Sequence, residues 1–300
     1  MITTLDQMTA KVVSRGKKHR IAIAWAHDNN TIGALHRAAG DGFVEPVMVG
    51  IPDVILETCK LLSLDPGLFS IVPAVSEAEA CSLSVAMTRS GETGIVMKGL
   101  TGTDKFLKAV MDKENGIMLP GAVLSYVCAI SVPAYHKLLF VTDPAVIPFP
   151  DLGQKIAMAE YAIEMAVRFG IEKPKVALIG ASEKMSRHFE SQADYAVMCK
   201  MAERGQIRNC IMDGPLDLFL ACDKKSPEIK GIHTPVEGDA DILLFPSLES
   251  SNPFYKGLML FAQGELAGLI RGTSSPVIVM SRSESEKSKY YCIALACLMA

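Results

Sequence analysis

A single tryptophan and an aromatic content of only 6% in 300 residues leave this chain to build its interior from aliphatic side chains. Its eight cysteines, at 59, 81, 128, 199, 210, 222, 292 and 297, form no C-x-x-C pair and no Cys/His group at zinc spacing. That excludes a disulfide-stapled scaffold and a zinc ribbon. Met1 to Arg20 holds no apolar core of useful length for a signal segment, so reduced thiols and a cytoplasmic location are expected. Neither sign of charge dominates: 30 Lys plus Arg stand against 33 Asp plus Glu, for a net charge of −3. Without a basic field, nucleic acid is not expected as a partner. The longest uncharged stretch, Asn115 to His136, is broken by Pro120, Gly121, Ser125, Ser131 and Pro133. It reads as a buried strand with turns, and no membrane partner is expected.

Several motifs are also missing. No G-x-G-x-x-G follows an apolar run, and there is no G-x-x-x-x-G-K-[ST], G-x-S-x-G or H-E-x-x-H. This argues against a dinucleotide fingerprint, a P-loop, a nucleophile elbow and a zinc protease. His27 and His36 are not at helical i, i+4 spacing and read as packing or surface residues. The basic run Lys11–Arg20 reads as a solvated helix end before the first strand, with polyphosphate attraction as the alternative. Asp239 and Asp241 point to one side of an extended segment. They read as a turn and strand start, or as a pair able to hold a divalent cation.

What the chain does have is alternation. Apolar strands are expected at 20–26, 46–50, 69–72, 94–97, 138–142, 175–179, 207–212, 241–245, 267–270 and 277–280. Amphipathic helices are expected at 29–39, 53–62, 76–90, 103–111, 152–169, 252–263 and 284–298, with one more ending near Arg204. Near-continuous apolar strands separated by helices predict α/β architecture with mostly parallel sheets covered on both faces. The proline cluster Pro133, Pro144, Pro148 and Pro150 suggests a boundary near 135–150. Ligands in such sheets sit beyond the carboxyl ends of the strands. The functional search therefore falls on residues 98–104, 142–143, 182–184, 213–215, 246–252 and 281–284.

Among these, MSRSESEK (Met280–Lys287) follows a strand and opens a helix. Free backbone N–H groups at a helix start favour an anion, and an arginine can grip phosphate with two parallel hydrogen bonds. Ser281 with Glu284, and Ser283 with Glu286, also fit capping boxes, which account for the serines and glutamates without a ligand. Capping does not account for Arg282, a cation at the positive end of a helix.

Seven blocks occur in order: MKGLTGT (97–103), LLFVTDPA (138–145), KMAERGQI (200–207), DGPLDL (213–218), TPVEGDADILLFP (234–246), NPFYKGLMLFA (252–262) and MSRSES (280–285). Together they resemble the phosphate acetyl/butyryltransferase family, and the butyryl branch more than the acetyl branch. The resemblance runs from about Arg20 to the C-terminus. It implies reversible transfer of a short-chain acyl group between CoA and inorganic phosphate, without metal or cofactor. It also implies two α/β/α domains of the isocitrate/isopropylmalate dehydrogenase type with the cleft between them. The first domain would comprise 1–140 plus 286–300 and the second 141–285, with a homodimer or an assembly of dimers as the working form.

By the same resemblance, Ser281 and Arg282 match a Ser-Arg pair that stabilises the thiol or intermediate and binds phosphate. The acetyl branch carries an aspartate seven residues after the serine, where this chain has Ser288. Glu284 takes the butyryl branch's aspartate position and is the candidate base or orienting acid. Lys98, Ser125, Asp213 and Asn252 are candidate substrate contacts. The chain departs from the butyryl pattern at Tyr126 (His there), Ile147 (Asn), Phe219–Leu220 (Asp-Asn) and Ser251 (Gly). Those departures suggest a larger or more apolar acyl group, a different acceptor or lost activity. They also leave open a non-catalytic homologue that binds CoA or acyl phosphate. A dehydrogenase of the same fold is the third reading, and it lacks the dinucleotide signature.

Overall fold

A computed structural model describes residues 1–281 and 284–300. The chain divides into two compact units, one of residues 5–124 with 266–300, the other of residues 1–4 with 125–265. The expected domain boundaries put 1–4, 125–140 and 266–285 on the other side of each division. The pairing of strands accounts for the difference, as the elements show.

The first unit begins with α1 (Leu5–Ser14), then β1 (His19–Ala24), α2 (Asn29–Gly40), β2 (Val44–Gly50), α3 (Pro52–Leu61), β3 (Ser70–Pro73), α4 (Glu77–Arg89), β4 (Ile95–Lys98) and α5 (Thr103–Val110). The basic run after α1 does read as a solvated helix end: Lys17 and Lys18 are exposed, and Arg20 lies 3.6 Å from Glu92. Helix starts follow side-chain capping. Asp28 accepts from the Thr31 N–H ahead of α2, and Ser76 from the Glu79 N–H ahead of α4.

The second unit carries β5 (Ser125–Ser131), β6 (Leu139–Thr142), α6 (Leu152–Arg168), β7 (Lys175–Ile179), α7 (Ser191–Glu203), β8 (Ile211–Leu216), α8 (Leu218–Cys222), α9 (Ser226–Lys230), β9 (Ile242–Leu244) and α10 (Leu248–Phe261). Its strand order is β5-β6-β9-β7-β8, parallel except for β5 against β6. Because β5 hydrogen-bonds along β6, residues from Ser125 onward belong to this unit. The uncharged stretch 115–136 thus supplies a sheet strand, and among the described residues no helix is long and apolar enough to cross a membrane. Asp151 and Gln154 form a full capping box at the start of α6, and Lys155 of that helix reaches Asp194 of α7 at 2.6 Å. Strand β8 begins four residues later than expected and runs through Pro215. An edge strand tolerates a proline because one side of its ladder is unpaired.

Asp239 and Asp241 lie ahead of β9, at the edge opposite the strands' carboxyl ends. Lys137 Nζ donates to Asp241 Oδ1 at 2.7 Å and to the Asp239 carbonyl at 2.9 Å, while the Lys175 N–H donates to Asp241 Oδ2 at 2.8 Å. His136 Nε2 lies 2.9 Å from Asp239 Oδ1. These carboxylates hold cationic side chains and backbone. The turn-and-strand-start reading describes them, and among the described residues no group of three His, Cys, Asp or Glu could hold a metal ion.

The chain then returns to the first unit through β10 (Glu265–Arg271), β11 (Val277–Ile278) and α11 (Glu286–Met299). That unit's order is β3-β2-β1-β4-β11-β10, parallel except for β10 against β11. The pairing of β11 with β4 brings residues from 266 onward into the first unit, earlier than the expected 286. Helix α11 is buried on every side from Ser288 to Met299, the mark of an interior helix. Tyr291 donates to Asp6 of α1 at 2.6 Å, and Tyr290 to Asp41 after α2 at 2.6 Å. All eight cysteines are free thiols. Burial pushes Cys292 and Cys297 of α11 up to about 12, and it likewise raises Cys199 to about 12 and Cys210 and Cys222 to about 11.

Lys289, 5% exposed at its side chain, joins α11 to α2. Its Nζ donates to Asp28 Oδ1 at 2.7 Å and to Thr31 Oγ1 at 2.9 Å. Burial pushes the Asp28 carboxyl up, but Lys289 and Thr31 outweigh it and hold it below its ordinary value of 3.8. A carboxyl depressed in the folded state contributes stability above its unfolded value and loses it as pH falls through the folded one. Asp28→Asn should therefore cost about 3 kcal/mol at pH 7, because it strands a buried ammonium. Urea unfolding across pH should show that gap closing below 3.8 as Asp28 itself is protonated.

Candidate active site

In each unit the polar residues named from sequence are to be judged against the carboxyl edge of the parallel strands. In the first unit this edge is formed by the ends of β1, β4 and β11. Ile278 of β11 is in register with Met97 of β4, so the segment leading to Ser281 leaves the sheet beside Lys98. Lys98 is 5% exposed, and its Nζ donates to the carbonyls of Gly99 and Thr101, each at 3.1 Å. It holds the β4–α5 loop in shape. Gly99 is required there, since a Cβ would lie 2.4 Å from the Trp25 carbonyl oxygen.

Ser281 is exposed and Glu284 half-buried. The Glu284 N–H donates to the Ser281 carbonyl at 3.2 Å, and Asn30 Nδ2 donates to the Glu284 carbonyl at 3.2 Å. Helix α11 starts at Glu286, two residues later than expected. Ser285 is its N-cap and accepts from the Ser288 N–H at 3.1 Å. The expected Ser281–Glu284 box does not form that cap, the two residues making a turn before it, and Ser283 of the other expected box lies outside the described residues. Arg282 also lies outside the described residues. Ser288, at the acetyl branch's aspartate position, is 4% exposed in the first turn of α11. The structure thus places Lys98, Ser281 and Glu284 at one edge.

In the second unit the corresponding edge gathers around a residue that lies in the expected search segment 142–143 but is not among the candidate contacts. Asp143, just after β6, is 2% exposed. Its Oδ1 accepts from the N–H groups of Ala145 at 2.8 Å and Val146 at 2.9 Å, and its Oδ2 from Ile147 at 3.3 Å. Ser125 and the Tyr126 N–H also bond to this carboxyl. Burial pushes it above its ordinary value despite these donors, which favour the charged form. The signal in the sequence was Asp-Pro directly after an apolar run, where an aspartate side chain folds the following backbone into a turn.

Ser125 is fully buried, with its Oγ 3.4 Å from Thr142 Oγ1. It supports Asp143 from below and has no solvent-facing surface. Asn252 is half-buried in α10 and donates from Nδ2 to the Pro144 carbonyl at 2.7 Å. Ser251 beside it donates to the Asp143 carbonyl at 2.6 Å. Helix α10 begins at Leu248, a turn before the expected Asn252, so both residues sit in its first turns with Pro253 inside the helix.

Asp213 stands apart. It lies within β8, where its Oδ1 accepts from the Gly214 N–H at 2.9 Å. Between it and β6 lie β9 and β7, about 14 Å at the usual strand spacing. Ser125, Asp143 and Asn252 are brought together; Asp213 is not. Of the departures from the butyryl pattern, Tyr126, Ile147 and Leu220 are buried in packing at 6%, 7% and 0% exposure, and only Phe219 is well exposed.

The family model "Phosphate acetyl/butaryl transferase" matches residues 71–297. The phosphate butyryltransferase of Clostridium acetobutylicum is 35% identical over 300 residues, covering 100% of this chain and 99% of that protein. The phosphate acetyltransferase of Thermotoga maritima is 34% identical, covering 96% and 97%. Among solved structures, a branched-chain phosphotransacylase from Enterococcus faecalis superposes with a TM-score of 0.81 at 26% identity, over 93% of this chain and 98% of that one. With seven ordered sequence blocks, two α/β units of mostly parallel sheet and full-length similarity in agreement, this chain belongs to the phosphate acetyl/butyryl transferase family.

Proposed function

We propose that this enzyme transfers a short-chain acyl group reversibly between CoA and inorganic phosphate, with butyryl or a similar group preferred over acetyl. The observation that carries the reading is the Ser281–Glu284 turn, set beside Lys98 at the carboxyl edge of β4 and β11, in a chain of this family. Acyl-CoA plus phosphate gives acyl phosphate plus CoA. A phosphate oxygen attacks the thioester carbonyl carbon, a C–O bond forms, and the C–S bond breaks as the CoA sulfur departs and takes up a proton. In reverse, the thiol attacks acyl phosphate. A free thiol has a pKa of roughly 8.5, so it needs a base or a cationic setting to react near neutrality.

In this proposal Arg282 binds phosphate by paired charge-assisted hydrogen bonds. The Ser281 hydroxyl, exposed at the turn, donates to the developing oxyanion or orients the thiol. Glu284 accepts the thiol proton or orients the group that does. Lys98 shapes the neighbouring loop through its two carbonyl contacts and adds positive charge at that edge. Asn252 and the Asp143 turn are the polar ends that the second unit offers. The alternative of a non-catalytic binding homologue has no observation in its favour, since three of the four substituted pattern positions that become apolar or bulky are taken up by packing. We also propose a cytoplasmic homodimer, or an assembly of dimers, which light scattering would test.

The direct test is to incubate the protein with phosphate and acetyl-, propionyl-, butyryl- and isovaleryl-CoA and follow thiol release together with acyl phosphate formation. Turnover with a four- or five-carbon acyl group is expected; no turnover with any of the four overturns the reading. Arg282→Ala should lower turnover 100- to 1000-fold, the usual effect of removing one such stabilising donor. Its thermal midpoint should stay near the parent's, and an unfolded variant would instead mark a structural arginine. Ser251→Ala should lower stability by about 1–3 kcal/mol by leaving the buried Asp143 carbonyl without its hydroxyl donor, as read by urea unfolding.

A further inference from the structure

Two residues at the end of β1, Trp25 and His27, are held more tightly than the reaction as described requires. Trp25 follows β1 at the carboxyl edge of the first unit and has a φ of +60°. That left-handed conformation is costly for a bulky side chain and persists only where the surroundings impose it. Here the Trp25 carbonyl accepts from the Leu100 N–H at 2.8 Å and from the His27 N–H at 2.9 Å. Its ring lies against the His27 ring, with centroids 4.1 Å apart. The half-buried imidazole is fixed from another direction as well. Its Nε2 accepts from the Ile51 N–H at 2.9 Å. Gly50 makes room for it, since a Cβ there would lie 2.5 Å from Nε2.

With Nε2 accepting, the ring proton sits on Nδ1. Burial holds the imidazole below its ordinary value of 6.5, so the ring is neutral at pH 7. Among the described residues the Nδ1–H has no acceptor. Strand β1 lies between β2 and β4, with β11 beyond β4. Because Nε2 faces Ile51 after β2, Nδ1 across the ring points away from β2. On that side of β1 stands the loop after Lys98, bonded to Trp25 through Leu100. The Ser281–Glu284 turn follows β11 and is bonded to Asn30, three residues on from His27. All of these residues belong to the first unit. Inorganic phosphate has four oxygens. A guanidinium takes two, and a third forms the new bond to the thioester carbon, which leaves one acceptor for a further donor. We propose that His27 is a phosphate-binding residue of the reaction, its Nδ1–H donating to an oxygen of phosphate held at the Ser281–Glu284 turn. This rests on the acyl-transfer reading above and adds a substrate contact to it. A neutral donor holds the oxygen while leaving phosphate the negative charge that attack on the carbonyl carbon uses.

The experiment separates the two ring nitrogens. Asparagine carries a polar atom bonded to Cγ, where Nδ1 stands, and glutamine carries one a bond further out, where Nε2 stands. His27→Asn therefore keeps the donor and loses the acceptor, while His27→Gln keeps the acceptor for the Ile51 N–H and loses the donor. Rates of the full chain are measured with butyryl-CoA at varied phosphate, and with phosphate at varied butyryl-CoA. His27→Gln should raise KM for phosphate about tenfold or more, the usual loss for one hydrogen bond to a charged group, with KM for butyryl-CoA within about twofold of the parent's. His27→Asn should keep KM for phosphate within about threefold of the parent's. A histidine that only supports the Ile51 backbone gives the reverse order, and a folded His27→Gln with the parent's KM for phosphate overturns the proposal. A second readout needs neither turnover nor a variant that folds. The imidazole nitrogen resonances of His27 are followed by NMR in the parent as inorganic phosphate is added. A saturable shift of Nδ1 is expected, and an unmoved Nδ1 overturns the contact. No turnover with any acyl-CoA overturns acyl transfer, and the phosphate titration then decides the His27 contact by itself.

Discussion

The buried carboxyl of Asp143 organises the carboxyl edge of the second unit's sheet at β6. Three successive turn N–H groups converge on it, with Ser125 and the Tyr126 backbone adding to them from β5. A carboxyl this deep is costly unless every lone pair is used, and here the donors come from the loop that it shapes. The turn then presents its own carbonyls to α10, where Ser251 and Asn252 take them. Strand end, turn and helix start are thus one hydrogen-bonded knot.

The first unit solves a similar problem with the opposite charge. Lys289 is an ammonium buried inside a helix interface, and it is tolerable because Asp28 and Thr31 at the start of α2 surround it. The same contact fixes where α11 begins, and Asn30 two residues on from Asp28 holds the turn that precedes it. The Glu284 end of this turn is therefore tied to α2, an element far away in sequence, while Ser285 itself caps α11.

Much of the architecture was legible because its signals are periodic. The run Lys175–Ile179 is an uninterrupted buried strand, and the seventeen-residue α6 announces itself with an apolar stripe, an Asp cap and a glycine at the end. Family resemblance supplied Ser281, Glu284 and Asn252 as positions, but not their surroundings. Asp143 lay in the search segment 142–143 but received no role, because Asp-Pro reads as an ordinary turn until burial is known. Asp213 was expected just beyond a strand ending at 212, whereas β8 starts at Ile211 and continues through Pro215, as an edge strand can. Domain limits were misread for a related reason: a proline cluster marks a loop, while strand pairing decides which sheet a segment joins, and pairing partners are not local in sequence.

The chemistry attributed to this protein is that of a sulfur nucleophile, yet its own sulfurs are held out of that chemistry. Five of the eight side chains, among them both in the interior helix α11, have their acidity suppressed to about 11 or 12 by apolar surroundings. At neutral pH almost none of that sulfur is thiolate, the form that exchanges with disulfides or captures activated carbonyls. An acyl phosphate lingering near this polypeptide thus meets few self-made competitors, and the interior is spared both acylation and mixed-disulfide formation while CoA reacts.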